Sequence, residues 1–311
     1  MKKYKPIDLS EIKTYSSADR KTKVNLTKLF KELIKDQRPE TGDQRPATTP
    51  PELKSVADKI IKAHRDGRPV IFGMGAHVIK VGLSPIIIQM IKAGIINCIV
   101  MNGAGAIHDF ELATIGNTSE DVAENLKEGM FGMVKETLTT LNEAIAQCRN
   151  GKMGIGEAVG EKIVKMNAPY KNLSILAAAY EAGIPATIHV AIGTDTLHMS
   201  PKMDAAATGE GSHFDFKLLC DVVSDLEGGV YINAGSAVLL PEVFLKALTV
   251  ARNLGNKVDI LTTANLDMIK HYRPTVNVVE RPTLNGGQGF NIIGKHEANI
   301  PLLFQMVIDR I

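Results

Sequence analysis

The sequence predicts an α/β protein with a doubly wound, Rossmann-like, mostly parallel sheet. Three observations carry this expectation. Short apolar runs alternate with amphipathic helical stretches along most of the chain. The runs are apolar throughout rather than at every second residue, as strands are when helices cover both sheet faces. Each run ends in glycine or another small or polar residue, where a strand must turn into a helix.

The first 52 residues differ from the rest and read as an N-terminal arm and linker; residues 53–311 read as a single α/β domain. A short helix is expected over 26–35. The stretch over 36–52 repeats Gln-Arg-Pro and is rich in Pro and Thr, which remove backbone donors and disfavour helix. A helix then starts at the paired prolines and closes at Gly67, with Leu53, Val56, Ile60 and Ile61 on one face. "PVIFGMG" is the first strand and "SPIIIQMIKAG" the helix after it. "INCIVMNGAG" is the second strand. "GKMGIGEAVG" has no strand before it and reads as a loop. "NLSILAAAYEAG" is a helix leading to the strand "IPATIHVAIG". "SHFDFKLLCDVVSDLEGG" is a helix before the strand "VYINAGS". "PEVFLKALTVARNLG" is a helix before the strand "VDILTTAN". The glycine-rich tail over 281–297 reads as a surface turn or a loop over the pocket.

Bulk properties narrow the function. The 311 residues carry 36 Lys and Arg against 34 Asp and Glu, a net charge of +2. That balance, with 5% aromatic residues and no Trp, argues against a nucleic-acid binder. No apolar run is long enough to span a membrane. The three cysteines, Cys98, Cys148 and Cys220, have no CxxC spacing and suit a reducing, cytoplasmic compartment.

In open parallel sheets ligands bind beyond the carboxyl ends of the strands. Those ends carry Gly75, Ala76 and His77; Gly103, Ala104, Gly105, His108 and Asp109; Thr194, Asp195 and His198; Gly235 and Ser236; and Thr263 and Ala264. Small residues let a ligand approach the backbone, and helix N-termini offer free amides to phosphate. A nucleotide or phosphate pocket is the expectation, although neither the Gly73-x-Gly75 nor the Gly103-x-Gly105 turn has the third glycine of a dinucleotide fingerprint. His77, His108, Asp109 and Asp195 are candidate acids and bases, with helix capping the alternative for each aspartate. His189, inside a strand, reads as a core histidine. No HxH or HExxH pair signals a metal, so a His/Asp metal-dependent hydrolase and a non-catalytic nucleotide binder stand as alternatives.

These strand ends resemble the deoxyhypusine synthase family over residues 70 to 270. "NGAGAIHDFE" is similar to that family's strand-end "TAGG" with its acidic pair, which implies a cofactor contact for Asp109. By the same resemblance Ala76 and His77 fall where the family has Ser-Asn. "AIGTDTLHM" brings Thr194 and Asp195 to the cofactor edge, "INAGS" matches a glycine-rich stretch, and "LTTANLD" places Thr263 and Ala264 near the cofactor. The resemblance implies NAD as cofactor, a polyamine-like or other small polar substrate and a homotetramer with sites at subunit interfaces. It departs at the family's catalytic lysine. Leu239-Leu240-Pro241-Glu242 stands there, and no lysine follows before Lys246. An imine needs an amine. The resemblance therefore implies an NAD-dependent, transferase-like enzyme with altered chemistry, in which Glu242 or Lys246 takes over the lysine's role.

Overall fold

A computed structural model describes residues 8–27 and 51–311. The linker up to residue 50, and the helix expected at 26–35 beyond its first two residues, lie outside them. Chain order begins with β1 (Thr22–Asn25), α1 (Pro51–Arg65), β2 (Val70–Met74), the single turn α2 (His77–Lys80), α3 (Ser84–Lys92), β3 (Cys98–Asn102), α4 (Gly103–Ile115) and β4 (Asn117–Glu120). It continues through α5 (Val122–Lys127), α6 (Lys135–Ala146), α7 (Ile155–Lys165), α8 (Ile175–Ala182), β5 (Ala186–His189), α9 (Ala205–Ser224), β6 (Val230–Ala234) and α10 (Leu239–Asn253). Last come β7 (Thr262–Asp267), α11 (Tyr272–Pro274), β8 (Gln288–Ile293) and α12 (His296–Ile308).

Six strands form one parallel sheet in the order β5-β3-β2-β6-β7-β8. Counted along the chain, that is 3-2-1-4-5-6, the doubly wound order. The direction of winding reverses between β2 and β6. Both sheet faces are buried, as the unbroken apolar runs predict. Phe72, Met74 and Ile232 pack with Leu53 and Ile60 of α1, Ile87 of α3, and Leu303 of α12. On the other face Ile71, Val100 and Tyr231 pack against Leu219 of α9 and Phe244 of α10. The Tyr231 and Phe244 rings stack with centroids 3.7 Å apart.

Three sequence readings need correction. The "GKMGIGEAVG" stretch is only partly a loop, because α7 begins at Ile155 with Ile155, Val159 and Ile163 turned inward. Its glycines serve close packing. A Cβ on Gly156 would overlap the Ala186 carbonyl oxygen of β5, and one on Gly160 would crowd the Leu176 carbonyl of α8. The 281–297 tail is a surface turn only over residues 284–286. It contributes the edge strand β8 and the start of α12, because Phe290 and Ile292 extend the sheet beside Ala264 and Leu266. The α9 helix starts seven residues before the expected "SHFDF", capped by the Asp204 carboxylate, which accepts from the Ala206 and Ala207 amides at 3.0 Å. The sequence also gave no sign of the small antiparallel sheet of β1 and β4.

Asp215 of α9 holds β5 and α7 together from inside. Its carboxylate accepts from the Ile188 amide at 2.8 Å and the Gly156 amide at 3.1 Å, and the residue is fully buried. Burial pushes its pKa up to about 7. A carboxyl raised in the folded state favours folding in its protonated form. Its stabilisation is therefore complete below the unfolded value near 3.8 and is lost as pH rises through about 7. We predict that stability falls between pH 5 and 8, with a slope approaching ~1.4 kcal/mol per pH unit for this one group. Denaturant melts of Asp215→Asn across that range check it. A variant with the wild-type slope would show that Asp215 is not the source.

Candidate active site

The reversal point between β2 and β6 brings two strand-end turns together at the carboxyl edge of the sheet. The ladder continues one residue past each strand. The Gly75 amide donates to the Ala234 carbonyl, the Gly235 amide to the Leu266 carbonyl and the Gly294 amide to the Asp267 carbonyl, each at 2.9 Å. These bonds pin the turns after β2, β6 and β8 to their neighbours. Gly75 and Gly235 touch through their backbones, and a Cβ on Gly75 would overlap the Gly235 carbonyl oxygen. Gly235 has φ +70°, a conformation glycine adopts without cost.

Beyond these glycines the chain leaves amides open. Among the described residues, the amides of Ala76, His77, Ser236, Ala237 and Val238 donate to nothing. The second group forms the approach to α10, whose dipole adds positive potential at its N-terminus. Ser236 Oγ accepts from the Leu240 amide at 3.2 Å and so fixes that approach. Three asparagines in register across β6, β7 and β8 hold the floor. Asn233 Nδ2 donates to Asn265 Oδ1 at 2.8 Å, and Asn265 Nδ2 to Asn291 Oδ1 at 3.2 Å. Asn233 also reaches the Ser236 carbonyl at 2.9 Å.

Two imidazoles flank the two turns. His296, at the start of α12, is buried against Gly235, and His77 faces it with ring centroids 5.4 Å apart. His296 Nε2 lies 3.1 Å from the Leu266 carbonyl, which can only accept, so Nε2 carries a proton and donates it there. His296 Nδ1 and His77 Nε2 are both buried without a partner. Burial, then the neighbouring His296, lowers the His77 pKa below its ordinary value. Asp267, at the end of β7, is buried nearby.

The other sequence candidates lie elsewhere. Gly103, Ala104 and Gly105 open α4, but Asn102 Oδ1 caps Gly105 at 2.9 Å and the Asp195 carboxylate lies over Gly103 and the Ala104 amide. Asp195 thus does what the capping alternative expected, filling this helix N-terminus with the protein's own anion. Burial raises its pKa. His198 Nδ1 accepts from the Gly193 and Asp195 amides and holds that loop. Thr194 is exposed, its hydroxyl turned back to the Ala191 carbonyl at 2.7 Å.

Asp109 does not face the two turns. It is fully buried in α4, where it accepts from Ser174 Oγ at 2.5 Å and from the Ile175 and Leu176 amides at 2.8 and 3.2 Å. It anchors the first turn of α8, and burial still pushes its pKa up to about 6. His108 meets Thr118 Oγ1 at 2.6 Å, and Thr118 donates to Glu111 at 2.5 Å. It belongs to a buried network in which Arg20 pairs with Glu111 at 2.6 Å and with Glu120 at 3.4 Å. Burial drives the His108 pKa down to about 3, so the ring stays neutral.

Thr263 and Ala264 are also displaced. β7 runs on to Asp267, so both sit fully buried mid-strand, and the strand end belongs to Asp267 and Met268. Glu242 and Lys246 form a surface ion pair one turn apart, with Arg273 and Asn277 beside Glu242. Neither takes the place of a buried, imine-forming lysine. His189 is the expected core histidine, 3.1 Å from Thr187 Oγ1. Among the described residues no group of three His, Cys, Asp or Glu side chains is placed to hold a metal.

No family model and no curated protein sequence matches the chain. Solved structures do. A conserved LOR/SDH protein from Methanococcus maripaludis S2 superposes with a TM-score of 0.53 at 17% identity, over 86% of this chain and 73% of that one. AgrE in its ternary complex with ornithine and NAD+ gives 0.55 at 15%, over 83% of this chain. The matched region is 32% of AgrE, so the chain spans about a third of that protein. A deoxyhypusine synthase structure from Entamoeba histolytica aligns over 96% of this chain at 12% identity, with a TM-score of 0.47. At these identities the likeness lies in the fold.

Proposed function

We propose that the chain is an NAD-dependent enzyme, transferase-like or amine-oxidising, acting on an amine or another small polar substrate, and that it is not an authentic deoxyhypusine synthase. One observation carries the reading. At the single point where the strand order reverses, two glycine turns touch and present five undonated amides beside two partnerless imidazole nitrogens. Undonated amides at a helix N-terminus suit a pyrophosphate, and the reversal point is where doubly wound sheets bind dinucleotides. Gly75, Ala76, His77, Gly235 and Ser236 would hold NAD, with Asp267 and His296 next to its reactive half.

NAD+, when bound, accepts a hydride from the substrate. The chain's own part is to orient the substrate and take a proton. AgrE binds ornithine as well as NAD+, which favours an amine among small polar substrates. Lys246, exposed and paired to Glu242, gives no support to transfer through a lysine imine. Assembly as a homo-oligomer, a tetramer by the family resemblance, belongs to the same reading. Val238, Met268, Ile269 and Tyr272 leave apolar surface along this edge for a second copy to cover.

Thermal melts with NAD+ test the proposal. A ligand at about a hundred times its Kd adds ~2.7 kcal/mol, enough to raise Tm clearly. A melting temperature unmoved by millimolar NAD+ would sink it.

A further inference from the structure

We propose that His271 is the proton acceptor of this site and that Asp267 is the residue that positions it, an inference that rests on the NAD-dependent reading. β7 ends at Asp267, and His271 stands four residues later at the start of α11, with its ring turned back toward the strand end. Both partners are fixed. The Met268 amide donates to Asp267 Oδ1 at 2.7 Å, and the Gly294 amide holds the Asp267 carbonyl at 2.9 Å. The His271 carbonyl accepts from the Thr275 amide at 3.2 Å and from Thr275 Oγ1 at 2.7 Å. That leaves Asp267 Oδ2 to face the ring, 4.0 Å from His271 Nε2. A carboxylate accepts and cannot donate, so in the neutral ring it favours the proton on Nε2 and leaves Nδ1 as the open acceptor.

The ring is within reach of a ligand. Its side chain is 40% exposed, and among the described residues neither ring nitrogen is enclosed or hydrogen-bonded. The other histidines of the carboxyl edge are committed elsewhere. His296 is buried, His77 turns Nε2 into the interior, and His198 Nδ1 accepts from two amides. His271 also stands at the right part of the sheet. The Gly235 amide ties the turn after β6 to the end of β7, and α11 leans on the first turn of α10 through Arg273 and Glu242, 3.5 Å apart. That sets the imidazole over the edge where the Ser236, Ala237 and Val238 amides are open. For a primary amine the step balances as follows. The ammonium N–H bond breaks and its proton bonds to His271 Nδ1. The freed lone pair becomes the C=N bond as the α-carbon C–H leaves as hydride to the oxidised nicotinamide. The product is an iminium, with one imidazolium on the protein whose Nε2–H faces the Asp267 carboxylate.

The test uses the full chain. Diethyl pyrocarbonate labels accessible imidazoles. Peptide mapping is expected to find His271 labelled in the free protein and protected about fivefold or more by saturating NAD+. His213, exposed on α9, is the internal control and should label equally with and without NAD+. With ornithine and 1,4-diaminobutane as probes, NADH formation is expected to fall by about a hundredfold or more in His271→Ala. Added imidazole should restore roughly tenfold of that loss, and the NAD+ thermal shift should persist. Asp267→Asn keeps an acceptor for the Met268 amide and is expected to lower kcat roughly tenfold with KM unchanged. Equal labelling of His271 with and without NAD+, or wild-type turnover by His271→Ala, would overturn the proposal. So would a wild-type protein that shows the NAD+ shift and oxidises neither probe. An absent NAD+ shift in the wild type would instead remove the underlying reading, and this inference with it.

Discussion

Gly75→Val is expected to abolish NAD+ binding while leaving a folded protein. The new Cβ would overlap the Gly235 carbonyl oxygen, a backbone atom that cannot rotate away. Gly235 cannot slide either, because its amide is held by the Leu266 carbonyl at 2.9 Å. The turn after β2 must therefore lift, breaking the Gly75–Ala234 bond and spreading the two sets of open amides. Overpacking of this kind costs roughly 1–3 kcal/mol of stability. The loss of affinity should be larger, because a pyrophosphate held from two sides loses one of them; we expect at least ~100-fold, or ~2.7 kcal/mol. Calorimetric titration with NAD+ reads it directly. Gly209→Ala on α9 is the control, since a Cβ there meets nothing within 4 Å. Equal NAD+ affinity in Gly75→Val and wild type would place the cofactor away from the β2–β6 turns.

Asp109→Ala is expected to have the opposite profile, with heavy loss of stability and unchanged NAD+ affinity in the folded fraction. The substitution strands the Ser174 hydroxyl and the Ile175 and Leu176 amides in the interior. A buried donor left without a partner costs roughly 1–3 kcal/mol, so the whole loss should be about 3 kcal/mol or more. For a domain of this size that corresponds to a fall in Tm of about 5 °C or more. The removed carboxyl is itself raised to about 6 by burial. By the same sign argument as for Asp215, its own contribution weakens as pH rises through 6, so the penalty of removing it should be larger at pH 5 than at pH 8. Wild-type stability with lost NAD+ binding would instead return Asp109 to the cofactor.

The contrast between Gly75 and Asp109 shows what the sequence could convey. Strand ends and their glycines were legible, because a parallel sheet demands apolar runs and small turns. Which turns face each other was not, since pairing is set between residues far apart in the chain. Gly75 and Gly103 look alike in sequence. Only the strand order sets Gly75 against Gly235 and Gly103 under Asp195. Asp109 was misread because nothing local says which side of α4 turns toward α8. Thr263 and Ala264 were placed at a strand end because small and polar residues follow the apolar run that ends at Leu261. Asn265 is instead the middle of the Asn233–Asn265–Asn291 ladder, which satisfies amides that a lone buried asparagine could not. His296 was within reach. "FNIIGKHE" repeats the strand, glycine and helix pattern of the earlier units, and applying that pattern once more would have put a histidine on the same edge as His77.

The central claim is that the turns after β2 and β6 hold a dinucleotide. A crystal structure of the chain grown with saturating NAD+ tests it most directly. The account predicts pyrophosphate density within hydrogen-bond reach of the Ala76 and His77 amides on one side and the Ser236–Val238 amides on the other, with the nicotinamide beside His77 and His296. NAD+ bound elsewhere on the sheet edge, with those five amides still without an acceptor, would contradict it.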